Sequence, residues 1–156
     1  MRILVASVLV LGACGGPKAK KLTHEGSLKF TIEVPSDFKA QPEKSDGQYK
    51  IVTMRSDKTH LDILIQWVPG WTYDDMLGKV MGDLERLGKG TVYGSMDLPG
   101  GKGTYIHFIA ANGLEMAWSV NKCGSETLFC FASLPKDQTG ADKEFTIEAC
   151  KTITCP

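Results

Sequence analysis

The sequence predicts an α+β domain: a mainly antiparallel sheet of about seven strands flanked by two helices. Three observations carry this. Seven runs of β-type pattern are joined by short turn signals, the hydrophobic period switches once to that of a helix, and a second helical pattern closes the chain.

The first strand starts after Ser27, where Leu28, Phe30, Ile32 and Val34 alternate with Lys29, Thr31 and Glu33. Pro35 ends it, and Phe38 adds an apolar anchor. Beyond the Asp46-Gly47 turn, Tyr49, Ile51 and Thr53 begin a second strand, which stops at Ser56-Asp57-Lys58-Thr59. Leu61, Ile63, Ile65 and Trp67 form the third, with Asp62 and Gln66 outward. Thr72 then caps a helix, with Asp75 in the reciprocal position of a capping box. Met76, Leu77, Val80, Met81, Leu84 and Leu87 make its apolar stripe, and Gly88 is placed to end it. Gly78 and Gly82 weaken the helix, and close approach to the sheet is one reason to keep them there. Four strand-like runs follow, Val92–Leu98, Thr104–Ala111, Leu114–Lys122 and Leu128–Leu134. Pro99-Gly100-Gly101 separates the first two, and Asn112-Gly113 is a strong hairpin signal between the next. After a loop from Pro135 to Gly140, Ala141–Lys151 suits a short helix packed through Phe145 and Ala149.

The 156 residues suit one domain, and 42% hydrophobic content is too high for a disordered chain. Eighteen basic and eighteen acidic side chains cancel, giving no electrostatic reason to expect nucleic acid. No apolar run reaches the roughly 18–20 residues of a membrane-spanning helix.

Met1-Arg2 followed by the apolar run Ile3–Leu11 has the form of a secretory signal. Leu11-Gly12-Ala13-Cys14 resembles the lipobox of bacterial lipoproteins at every position. That resemblance implies cleavage after residue 13, diacylation of the Cys14 sulfur and acylation of its amine. Two or three chains give lasting membrane attachment, where one is marginal at about 0.8 kcal/mol per buried CH₂. Gly15, standing where Asp tends to retain such proteins at the inner membrane, favours the inner leaflet of the outer membrane, facing the periplasm. The expected organisation is a signal peptide over 1–13, a lipidated Cys14 with a flexible tether over 14–26, and a single domain over 27–156. Loss of Arg2 with the signal leaves 17 basic against 18 acidic side chains, a balance of −1.

Removing Cys14 from the count leaves Cys123, Cys130, Cys150 and Cys155, an even set in an oxidising compartment. Among three possible pairings, Cys123–Cys130 with Cys150–Cys155 is the first choice, since Gly124-Ser125-Glu126-Thr127 lets the first pair flank one hairpin. Cys130–Cys150, tying sheet to helix, is the strongest competitor. The spacings are neither the C-x₂-C of zinc sites nor the C-x-x-C of thiol redox centres, so neither a metal nor a cofactor is expected.

Phe30-Thr31-Ile32-Glu33-Val34-Pro35-Ser36-Asp37-Phe38 resembles the opening of PsbP/DcrB-like domains, where a strand F-x-I-x-x-P precedes an aromatic residue. Phe145-Thr146-Ile147-Glu148-Ala149-Cys150-Lys151-Thr152-Ile153 is similar to their terminal helix, with Cys150 where serine is common. The likeness spans about residues 27–154 and implies an αβα sandwich around an antiparallel sheet. Such domains include lumenal photosystem subunits, bacterial lipoproteins and a Ran-binding import factor. The resemblance therefore implies partner binding or assembly, and it supplies no catalytic residues.

The chain contains no G-x-S-x-G elbow, no phosphate-binding P-loop, no H-E-x-x-H and no EF-hand loop. Gly100-Gly101-Lys102-Gly103 joins two strands and is a turn, since a phosphate cradle needs a helix N-terminus. His24 in the tether and His60 beside a polar turn are expected to be solvated. His107 stands on a strand with no serine or cysteine partner at recognisable spacing. Trp67 and Trp71 flank a Pro-Gly turn. Both are candidate partner-binding residues; against that role, Trp67 continues the core series, and Trp71 either staples the helix start or serves as a partner-binding anchor. The preferred reading is a non-catalytic, lipid-anchored envelope protein that binds an unidentified protein partner. A small hydrolase using His107 and an acid such as Glu115 would need those groups to converge in a pocket. A thiol oxidoreductase would need a solvent-accessible, reducible cysteine pair.

Overall fold

The computed structural model describes residues 18–87, 92–135 and 141–156. Cys14, the lipobox and Gly88 lie outside them. The strands are β1 Ala19–Glu25, β2 Lys29–Pro35, β3 Phe38–Ala40, β4 Lys44–Asp46, β5 Tyr49–Ser56, β6 Asp62–Trp67, β7 Val92–Leu98, β8 Gly103–Ile109, β9 Glu115–Cys123 and β10 Glu126–Leu134. Helix α1 is Tyr73–Arg86, and α2 is Ala141–Glu148, followed by a 3-10 turn at Ala149–Thr152.

All strand pairs are antiparallel. The main sheet runs β3-β5-β6-β10-β9-β8-β7, with β4 also on β5. The predicted meander is β7 to β10, and its last strand returns to pair with β6. Helix α1 therefore carries the chain across one face to the far edge of the sheet, packing over β9 and β10. Thr72 and Asp75 form the capping box: the Thr72 Oγ1 accepts from the Asp75 N–H at 3.2 Å, and the Thr72 N–H donates to Asp75 Oδ2 at 2.9 Å. Met76, Val80 and Leu84 are buried against Ile106, Phe108, Trp118 and Phe129, while Met81 and Leu87 lie at the exposed rim of the stripe.

The opposite face is covered by three pieces: α2, the turn behind it, and a separate β1–β2 hairpin. Phe30, Ile32 and Val34 of β2 point inward and are fully buried, as their alternation predicts. They pack on Val52, Met54, Ile63, Ile65 and Trp67 of the main sheet. Contrary to expectation, the tether does not extend to residue 26. Ala19–Glu25 is a strand paired along its whole length with β2. Its inward positions are Lys20, Leu22 and His24, whose mixed polarity hides the alternation. The other edge of β2 receives the C-terminal tail, where Thr31 and Thr154 exchange backbone hydrogen bonds at 2.8 and 2.9 Å.

Two further expectations are corrected. Phe145 is 38% exposed, and α2 packs instead through Thr146 and Ile147, with Ala149 and Cys150 continuing the contact from the turn. The disulfides are Cys123–Cys155 and Cys130–Cys150, so the competitor holds and the first choice does not. In the β9–β10 register Cys123 faces Glu126 and Cys130 faces Ser119. Cys130 thus stands four residues farther along β10, about 13 Å away, beyond the reach of a disulfide. The observed pairs have Cα separations of 5.2 and 5.6 Å.

Candidate functional site

Helix α2 covers β9, β10 and β2, leaving the β7–β8 arm of the same sheet face open. Strand alternation places Tyr105 and His107 on that open arm, with Gly94 and Met96 opposite them on β7. The result is a groove of two adjoining cavities. One, of about 320 Å³, is lined by His107, Glu115, Lys143, Glu144, Ile147 and Glu148. The other, of about 280 Å³, includes Gly94, Ser95, Met96 and Tyr105 and shares His107 and Glu148 with the first.

Glu115 is the hub. His107 Nε2 lies 2.9 Å from its Oε1, and the Lys143 ammonium pairs with its other oxygen. Burial alone would raise the Glu115 carboxyl. Hydrogen bonds from Lys143 and His107, together with their charges, outweigh that and hold it below the usual carboxylate range. The neighbouring Tyr105 is buried and donates its hydroxyl to the Ile147 carbonyl at 3.3 Å. Burial first, then the Glu148 and Glu115 charges, push its phenol well above the ordinary value. Lys151 pairs with Glu148 and sits 4.5 Å from the Tyr105 ring centroid.

His107 and Glu115 therefore do converge in a concave site. Among the described residues, no serine, threonine or cysteine side chain is hydrogen-bonded to His107, whose partner is Glu115. Tyr105 OH is committed to a backbone carbonyl, and the four paired cysteines are in disulfides. Ser95 borders the second cavity, but it stands opposite Ile106, which packs under α1, so strand alternation turns its side chain to the other sheet face. Cys130 and Cys150 are fully buried, so that pair has no solvent access. Among the described residues, no group of three or more metal-ligating side chains converges.

The tryptophans do not form a joint docking patch. Trp67 is 2% exposed and meets Phe30 edge-on at 6.4 Å, which removes it as a partner-binding residue. Its position on β6 turns it into the core. Trp71 is half-buried, packs with the α1-side core, and meets Tyr49 edge-on at 6.1 Å. It immediately precedes the Thr72 cap, as a hydrophobic staple requires.

One cluster is invisible in the sequence pattern. His24, expected in solvent, packs against Phe30 with ring centroids 5.1 Å apart and reaches Glu43 Oε2 at 3.0 Å. The same carboxylate accepts the Ser27 N–H at 3.0 Å and the Ser27 hydroxyl at 2.7 Å. This network fixes the β1–β2 turn to the segment before β4. His60 is exposed, as expected.

No family model and no curated protein sequence matches the chain. Among solved structures, cyanobacterial PsbP (CyanoP) from Synechocystis sp. PCC 6803 superposes with a TM-score of 0.55 at 14% identity. The match covers 94% of this chain and 99% of that one. The fold is PsbP-like. The αβα arrangement implied by the terminal motifs is thus present, with a β-hairpin sharing one of the outer layers.

Proposed function

We propose that this chain is a lipid-anchored envelope protein, without catalytic activity, that binds or helps assemble a protein partner through the α2–β8 groove. The observation that carries this reading is the groove itself: a half-covered sheet face where fixed ion pairs border the exposed side chains of Met96 and Ile109. Charged groups held in pairs by α2, its following turn and β9 beside apolar surface suit orientation and recognition of a protein. The PsbP-like fold supports a binding role, and the lipobox ending at Cys14 supports attachment at the periplasmic face of the outer membrane.

The test places a photoreactive residue at Ile109, beside the groove, and separately at exposed Glu85 on α1, in cells making the full chain. A discrete cross-linked product from position 109 alone is expected. Equal labelling from both positions refutes a groove-directed partner. In the same cells Cys14→Ser should move the protein out of the detergent phase; unchanged partitioning refutes lipidation.

The 2.9 Å contact of His107 with Glu115 in a cavity favours one second reading, a small hydrolase in which this pair activates water. It predicts loss of a measurable hydrolytic activity in His107→Asn, with the Ile109 cross-link retained.

A further inference from the structure

The main sheet ends at β7 on one side and at β3 and β4 on the other. The two ends are built differently. β3 and β4 have three residues each, with Pro42 between them, so they offer little backbone for pairing. β1, at the edge of the separate hairpin, carries Lys20 and Lys21, charges that discourage edge association. β7 has seven residues, no proline, no lysine or arginine and a single charge at Asp97. Gly94 to Asp97 are exposed, Met96 to 47%. Among the described residues, no strand pairs with its outer edge.

We propose that β7 pairs with β7 of a second copy of this chain, antiparallel and centred on Ser95, joining two main sheets across a two-fold axis. The strand is self-complementary in that register. Ser95 lies opposite itself, and Gly94 lies opposite Met96 of the copy. Residues directly opposite share a face, so each Met96 comes to lie beside the other copy's Gly94 on the face of Tyr105 and His107. A Cβ built on Gly94 meets nothing within 4 Å, and this glycine opens onto the 280 Å³ cavity. An unbranched, adaptable methionine fits over such a missing side chain, and the two-fold makes the contact twice.

Charge selects the same register. With Ser95 at the centre, the two Asp97 positions are four residues apart along the pair, about 13 Å. That exceeds the screening length of about 8 Å at physiological ionic strength. Centring on Met96 would bring the two aspartates to about 7 Å and leave Gly94 without its methionine. The residue that fills the space over Gly94 is supplied by the strand itself, which is why a second copy fits better than an unrelated strand.

The pairing uses only the folded residues and is read in detergent solution with Cys14→Ser in both variants, since the other four native cysteines are already in disulfides. Full-length Ser95→Cys and Asp97→Cys proteins, with circular dichroism verifying their fold, are exposed to copper–phenanthroline and run on non-reducing gels. Directly opposed residues have Cα atoms about 4.5–5.5 Å apart, within disulfide range, whereas position 97 is out of reach. Ser95→Cys should form the covalent dimer at least tenfold faster than Asp97→Cys, and adding Met96→Lys should remove that advantage. A monomeric Ser95→Cys protein, or equal rates for the two cysteines, overturns the proposal.

Discussion

Glu43 holds one carboxylate against three donors, two from Ser27 and one from His24. Burial works to raise its pKa, but the Ser27 and His24 hydrogen bonds prevail and lower it, as Lys143 and His107 do for Glu115. The sign follows from linkage. A carboxyl depressed in the folded state contributes stability that is fully present above its unfolded value, here 4.5, and is lost as pH falls through the folded value. Glu43→Gln should therefore destabilise the protein at pH 7, by up to about 1.5–3 kcal/mol, the worth of hydrogen bonds to a charged group, and the gap to the parent should narrow as the pH falls from 7 to 3. Urea titrations at the two pH values measure it; an equal gap at both would refute the linkage. The Thr72–Asp75 box is legible in the sequence because its partners are three residues apart on one helix start. His24 and Glu43 are nineteen apart, and only the hairpin's docking on Trp67 brings them together.

The longer elements were legible for the same reason: repetition. β2 and β6 each repeat an inward residue at every second position and α1 repeats at three and four, while β9 and β10, buried on both faces, show as apolar runs bounded by turn signals. The short strands β3 and β4 have too few positions to show a period, and β1 fills its inward positions with a lysine, a leucine and a histidine. Helix α1 also corrects one expectation. Gly78 and Gly82 do not let it approach the sheet, since a Cβ at either meets nothing within 4 Å. Their cost is then purely conformational, up to about 1 kcal/mol each relative to alanine. Gly78→Ala and Gly82→Ala should each stabilise the fold by about 0.5–1 kcal/mol, with additive effects in the double variant. A denaturant midpoint that falls in either variant would show that the glycine serves a contact.

At the scale of the whole molecule, residues 141–156 act as a strap across the sheet. The candidate groove was only partly legible because it needs this strap: His107 and Glu115 sit near each other across the Asn112-Gly113 hairpin, but Lys143 and Glu148 reach them only through docking of α2. Docking is secured at two points. Cys130–Cys150 pins the turn after α2 to the middle of the sheet, where Ser119 also donates to the Cys150 carbonyl at 2.9 Å. Cys123–Cys155 pins the tail that pairs with Thr31. The closed loops, with sequence separations of 20 and 32, give similar chain-entropy contributions of about 3–4 kcal/mol, so loop length does not decide which bridge matters more. Packing does. Cys130 and Cys150 are fully buried, whereas Cys155 is half-exposed at the end of the chain. Replacing the buried pair by alanine removes two core sulfurs as well as the constraint, and each lost core group adds a cavity cost. The Cys130→Ala/Cys150→Ala protein should therefore lose at least about 1 kcal/mol more in guanidinium unfolding than Cys123→Ala/Cys155→Ala. It should also release α2, read as faster amide exchange at Thr146 and Ile147, while the outer pair's loss frays only the Thr31–Thr154 bridge. The reverse order of stabilities would mean that the tail, and not the buried bridge, holds the groove together.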